Sequence, residues 1–226
     1  MDGFSSILSN IHAAPIIGSV DYKSFVPIDL SKNNADLTTN RLESPQEFEN
    51  YIKEYLEQNN AKVAYGGYLE ERKLYQRSSI FNNNETAERS IHIGMDLWIK
   101  AETTINCPID GEIHSFKNNT GLGDYGPTLI LKHIVKNEVF YTLYGHLSLK
   151  SITNLSLGTI LKKGEKLATL GYASENGNYA PHLHFQIIKN IEDHWGDYPG
   201  VCSKDTVDFY AENCPNPNLI LKINKT

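Results

Sequence analysis

The stretch NYAPHLHFQI, residues 178–187, places His182 and His184 one residue apart in a run that reads as a β-strand. In an extended chain residues i and i+2 face the same side, so the two imidazoles share one face and Leu183 and Phe185 the other. Imidazole carries protons near neutral pH and, when neutral, binds metal ions. A pair of half-exposed histidines needs neither role, so the reading turns on partners elsewhere in the chain. RSIHIGMDLWI offers His92 and Asp96 in HxxxD spacing. On a straight strand they would lie about 13 Å apart at roughly 3.3 Å per residue, too far to hold one ion. Ile91, Ile93 and Ile99 favour a strand, so a bend between the two is required, and Gly94 stands where a bulge or kink would supply it. His146 adds a further candidate, beside Gly145 at the end of EVFYTLYGHLS.

His92, Asp96, His146, His182 and His184 exceed what one closed structural site needs. A zinc ion held for catalysis takes three protein ligands from His and carboxylate and leaves a fourth position for water, so two of the five would remain for acid and base work. The chain has no HExxH glutamate, so an imidazole must take the water's proton. The other histidines read as structural or solvent groups: His12 lies in an irregular N-terminal stretch, and His114 and His194 match no ligand position. His133 alternates with Leu129 and Leu131 and either faces the core or borders the site. Arg89 either bonds near His92 or is a surface arginine, and the lysines of KKGEK read as a solvated turn.

The elements that must position these groups are mostly strands. From about Val63 the text becomes short alternating runs bounded by Gly, Asn and Pro: YGGYLEERKLYQ, IHIGMDLWI, GEIHSF, TLILKHIV, EVFYTLYGHL, GTILKKGEKLATLG and HLHFQII, with turns at NNTGLGDYGP and VKNE. That pattern implies a mainly β, largely antiparallel domain with minor α content over residues 63–226. Ahead of it, residues 1–62 form an extension with one clear helix at about 45–59. There Ser44 is the N-cap, Pro45 the first helical residue and Glu47 the third member of a capping box, with Phe48, Ile52, Tyr55 and Leu56 as its apolar stripe. The tail after Trp195 returns to loop, with a short helix ending near Cys214.

Composition bounds the rest. The chain has 226 residues, 40% apolar and 21% charged, with 21 Lys plus Arg against 27 Asp plus Glu, a formal net charge of −6. The mild acidity argues against nucleic acid and against a polybasic membrane anchor. No apolar run approaches the roughly 18 residues of a membrane span. The N-terminus lacks the basic start and apolar run of a secretory signal, so a cytoplasmic location is expected, unless residue 1 is not the natural start. Cys107, Cys202 and Cys214 form no CxxC pair and read as reduced thiols in or near the core.

Taken in order, IHIGMDLWI, GEIHSF, GLGDYGPTLILKH, YTLYGHLS and GTILKKGEKLATLGYASENGNYAPHLHF resemble the M23 family of zinc metallopeptidases, the lysostaphin-like or LytM-type peptidoglycan endopeptidases, over about residues 89–188. The resemblance implies an antiparallel β-sheet metallopeptidase domain with Zn2+ as cofactor. It implies His92, Asp96 and His184 as zinc ligands and His146 and His182 as the catalytic pair, with His182 the expected base and the two roles exchangeable. Some members carry a tyrosine in the loop ahead of the first ligand; here that loop, FNNNETAE, has none. The region YGGYLEERKLYQ and the ending PGVCSKDTVDFYAENCPNPNLIL are similar, more loosely, to M23 domains found in cytosolic multidomain proteins.

Three functions follow as expectations. One is a zinc endopeptidase acting on a peptidoglycan-type cross-link or related peptide. The second is a zinc amide hydrolase of the cytosol with a non-wall substrate, and the third a non-enzymatic binding or activator module on the same fold. Degenerate members of the third kind lose metal ligands, and this chain keeps them all. The scissile bond and the oligomeric state are not legible.

Overall fold

The computed structural model describes residues 3–77 and 88–223. Its strands are β1 (Phe25–Pro27), β2 (Val63–Gly66), β3 (Glu70–Glu71), β4 (Ile91–His92), β5 (Met95–Trp98), β6 (Thr104–Asn106), β7 (Gly111–Asn119), β8 (Gly126–Val135), β9 (Glu138–Gly145), β10 (Ile160–Leu161), β11 (Lys166–Thr169), β12 (His182–Ile188) and β13 (Val201–Cys202). The helices are α1 (Gly3–Ser9), α2 (Thr39–Glu43), α3 (Pro45–Gln58), α4 (Val207–Asn213) and α5 (Asn218–Leu221). Among the described residues no helix is long and apolar enough to cross a membrane.

An eight-stranded sheet in the order β1-β2-β5-β12-β9-β8-β7-β10 carries the molecule, with β4 between β3 and β13 in a separate three-stranded sheet and β6 paired with β11. The large sheet is antiparallel throughout except for the parallel pair β1 and β2. Buried centrally, β12 turns Leu183, Phe185 and Ile187 into one apolar cluster with Met95, Leu97, Leu129, Leu131 and Tyr144. Phe4, Leu8, Ile16 and Ile17 from the N-terminal segment belong to that same cluster. Each such side chain taken from water contributes about 1.5–3 kcal/mol, so this face fixes the register that the opposite face uses.

The hairpin between β8 and β9 closes through Lys136 and Asn137, both at positive φ (51° and 66°), as a two-residue type I′ loop requires. Two runs that read as single strands are split. YGGYLEERKLYQ becomes β2, β3 and a 3-10 turn at Leu74–Arg77, because Gly67 (φ 98°) and Leu69 (φ 56°) turn the chain. GTILKKGEKLATLG breaks at Gly164 (φ 87°), sending β10 to the sheet edge at β7 and β11 to β6.

Helix α3 starts as expected, with the Ser44 hydroxyl accepting the Glu47 N–H at 3.3 Å and Pro45 in the first turn. The Ser44 N–H itself bonds the Asn40 carbonyl at 3.3 Å and closes α2, so it serves the preceding helix. Phe48, Tyr51 and Ile52 are the buried stripe, with Tyr55 and Leu56 half-buried beside it. Phe48 meets Trp98 of β5 edge to face at 5.1 Å, and that contact reaches the site below. All three cysteines are buried and free.

Candidate metal centre

Register brings the site together. Antiparallel pairing sets His184 opposite Asp96 and His182 opposite Trp98, and directly opposed residues on one face stand about 5 Å apart. His92 arrives from the other side, because β4 and β5 lie in different sheets and the chain crosses between them at Ile93 and Gly94. This is the bend that the HxxxD spacing demands. A side chain at position 94 would overlap the His184 imidazole, so glycine is needed there for space; its φ is not in the left-handed region.

The resulting geometry is tight and buried. His92 Nε2 lies 2.8 Å from His184 Nδ1, and Asp96 Oδ1 lies 3.3 Å from each of those nitrogens. All three residues are at most 2% exposed. Among the described residues they are the one set of three His, Cys, Asp or Glu side chains whose ligand atoms all lie within 4.8 Å of one another. Zinc bonds of about 2.0–2.1 Å in a tetrahedron place ligand atoms about 3.3 Å apart; the two separations to Asp96 Oδ1 match that figure, and the two histidine nitrogens, 2.8 Å apart, would have to part by about 0.5 Å to share an ion. Asp96 Oδ1 is moreover buried with no hydrogen-bond partner, a costly state for a carboxylate oxygen that a cation among the three donors relieves.

The far side of each candidate ligand is anchored, which fixes the tautomer of the histidines and the aim of all three. His92 donates Nδ1–H to the Gly67 carbonyl at 2.9 Å, leaving Nε2 with its lone pair. His184 donates Nε2–H to Gln186 Oε1 at 2.9 Å, leaving Nδ1 free for a metal. The Gln186 amide in turn donates to the Pro199 carbonyl at 3.0 Å and lies 3.3 Å from the Cys214 sulfur. Asp96 Oδ2 accepts from Arg72 Nη1 at 2.5 Å. Burial works against the Asp96 charge, yet the His92 imidazole and the Arg72 guanidinium beside it hold the carboxyl well below the usual carboxylate range.

His182 and His146 stand beside this triad. His182 Nδ1–H donates to the Ala180 carbonyl at 2.8 Å, and its Nε2 lies 3.8 Å from Asp96 Oδ1. Its ring stacks on Trp98 at 3.9 Å between centroids, so α3, through Phe48 and Trp98, backs it. His146 follows β9 at φ 62°, a left-handed conformation that costs a non-glycine residue about 1 kcal/mol or more. Its Nδ1–H donates to the Asn176 carbonyl at 2.8 Å, and its ring lies 4.1 Å from that of His182. Burial pushes His182 down to about 4 and His146 well below its ordinary value. Both rings are thus neutral acceptors at neutral pH, each with Nε2 unclaimed by its anchoring bond.

All five residues singled out in the sequence therefore meet, and they line one cleft of about 340 Å³. Arg89 and His194 also line it, although the sequence offered His194 only a structural or solvent role. His133 turns away, bonded to the Asp110 carbonyl at 2.8 Å and to Thr142 Oγ1 at 2.7 Å. The loop FNNNETAE falls, except for its last residue, outside the described residues, whereas Tyr75, Tyr125 and Tyr179 reach the cleft from other segments. Gln186, Arg72, Tyr75 and Tyr125 were missed. Gln186 carried a usable signal, since period two puts it on the face of His182 and His184; the other three had no local one.

Comparison with known proteins finds a family match over the segment in which all five residues lie. Peptidase family M23 matches residues 90–194. Among solved structures, a zinc-containing peptidase from Vibrio cholerae is 25% identical over 47% of this chain and 30% of its own, with a TM-score of 0.35. A peptidase from Pseudomonas aeruginosa described as a putative M23 member is 16% identical over 58% and 44%, with a TM-score of 0.38. The lysostaphin catalytic domain from Staphylococcus simulans is 22% identical over 72% of this chain and 96% of its own, with a TM-score of 0.39. The match thus spans less than half of the first two chains' length, and no curated protein matches significantly. The family match stands apart from these overall superpositions, and by it the chain carries a peptidase family M23 domain over residues 90–194.

Proposed function

We propose that this chain is a zinc-dependent endopeptidase, with His92, Asp96 and His184 as ligands and His182 and His146 as the proton-handling pair. The observation that carries the reading is the orphaned Asp96 Oδ1, converging with His92 Nε2 and His184 Nδ1 while both imidazoles are anchored behind. When bound, zinc supplies a Lewis acid that lowers the pKa of water to about 7 and polarises a carbonyl.

The chain's own residues do the rest. His182 Nε2 accepts the proton of the attacking water and returns it to the amine of the broken peptide bond, while Ala180 and Trp98 keep the ring from rotating. With its Nδ1–H held by the Asn176 carbonyl, His146 offers an accepting Nε2 that orients the attacking water; it can donate to the oxyanion of the tetrahedral intermediate only once that nitrogen has taken a proton. The proposed substrate is a peptidoglycan-type cross-link or a related peptide, the class suggested by the family match.

Replacing His182 by Ala is expected to lower hydrolysis about 10²- to 10⁴-fold while zinc remains at one equivalent by elemental analysis. Loss of the metal in that variant would overturn the division of roles. Incubation with a panel of cross-linked muropeptides tests the substrate: chelator-sensitive cleavage supports it. Inactivity on all of them, with chelator-sensitive cleavage of another amide, assigns the same centre to a non-wall substrate.

A further inference from the structure

Arg72 lies outside the segment matched by the family and is 2% exposed. A buried guanidinium needs carboxylate partners, and it has two. Nε donates to Glu70 Oε2 at 2.5 Å and Nη1 to Asp96 Oδ2 at 2.5 Å, with the Tyr75 hydroxyl 3.4 Å from Nη1. Glu70 is fixed in turn, its Oε1 accepting the Leu30 N–H at 3.0 Å. The Arg72 backbone N–H bonds the Ser90 carbonyl at 2.8 Å. A side chain at Gly67, whose carbonyl anchors His92, would overlap the guanidinium, so the turn after β2 wraps both groups. The chain Leu30, Glu70, Arg72, Asp96 thus runs from the N-terminal segment to the candidate metal centre.

From this geometry we infer that Arg72, braced by Glu70, is a positioning residue that reserves one oxygen of Asp96 for the metal. A carboxylate can bind a cation through one oxygen or both. Here the guanidinium occupies Oδ2, and only Oδ1 faces His92 and His184. Asp96 then counts as a single ligand, three protein atoms hold the ion, and the fourth tetrahedral position stays open for water. Lysine cannot reproduce the arrangement, because one ammonium lacks the planar fork that spans Glu70 and Asp96.

The inference rests on the zinc reading above, and the test separates the two. The full chain is loaded with zinc or with Co2+, and affinity is measured by chelator competition alongside the visible d–d spectrum of the cobalt form. The unsubstituted protein is expected to bind tightly with an intense four-coordinate spectrum; failure there sinks the zinc reading itself. In Arg72→Met the affinity is expected to fall about 10- to 100-fold and the d–d intensity to drop as Asp96 engages both oxygens. Arg72→Lys is expected to restore neither fully. Glu70→Gln retains the Arg72 to Asp96 contact and guards against a folding failure of the first variant; a smaller loss, severalfold, is expected. Unchanged affinity and spectrum in folded Arg72→Met or, if that variant does not fold, in Glu70→Gln would overturn the inference while leaving the zinc reading intact.

Discussion

At the scale of single residues, the proposed metal centre depends on groups that would not touch the ion. Gln186 is fully buried and spends its carbonyl on His184 Nε2–H and its amide on Pro199 and Cys214. Gln186→Leu keeps the volume roughly and leaves the imidazole N–H buried without its acceptor. Zinc affinity is expected to fall about 10- to 100-fold, read by competition with a chromophoric chelator, and an affinity within twofold of the parent would refute the anchoring role. The five residues that cluster here were legible because histidine at period two, HxxxD and a histidine beside a glycine at a strand end are local patterns; the roles proposed for them are what the variants test. Gln186 was within reach by that same period. Arg72 was not: it comes to Asp96 from 24 residues upstream, and no spacing rule connects an arginine in LEERKL to an aspartate in IGMDL.

At the scale of elements, β12 is one strand with two tasks. Its core face packs Phe185 against Tyr144 at 5.3 Å between ring centroids, and its other face carries His182, His184 and Gln186. Phe185→Ala is expected to cost about 3–5 kcal/mol, seen as a lower denaturant midpoint with an unchanged slope; a shift below 1 kcal/mol would mean that this face does not set the register. The strand was readable to its ends from HLHFQII because alternation and flanking Pro181 bound it. Helix α3 was readable from its cap and stripe, but its relevance to the site was not. Phe48 touches Trp98, and Trp98 carries His182, a relation that exists only after β5 and β12 pair. The splitting of YGGYLEERKLYQ was missed for a related reason: Leu69 takes a left-handed φ of 56° that its side chain does not announce.

At the scale of the whole molecule, the fold keeps neutral a histidine that a solvent-exposed chain would charge in mild acid. His133 is 1% exposed, away from the cleft, and burial pushes it down to about 4 against the backbone bond to Asp110 that favours its charge. Its Nδ1–H donates to the Asp110 carbonyl at 2.8 Å, and its Nε2 lies 2.7 Å from the Thr142 hydroxyl, which in turn donates to the Tyr144 hydroxyl at 3.1 Å. In the unfolded chain the same group titrates near 6.5. Below that value the unfolded state binds a proton that the folded state refuses, so stability is full above about pH 6.5. It falls as the pH drops toward 4, where the folded form begins to take the proton as well. The gap between 6.5 and about 4 amounts to about 3 kcal/mol. His133→Gln keeps an amide donor and acceptor without a titrating group. Unfolding free energies of the zinc-loaded parent and variant, measured at steps between pH 7 and 4, are therefore expected to converge toward acid, the parent losing more. Parallel curves across that window would show that His133 is charged or exposed in the folded state, contrary to its buried place on β8 opposite Phe140 of β9.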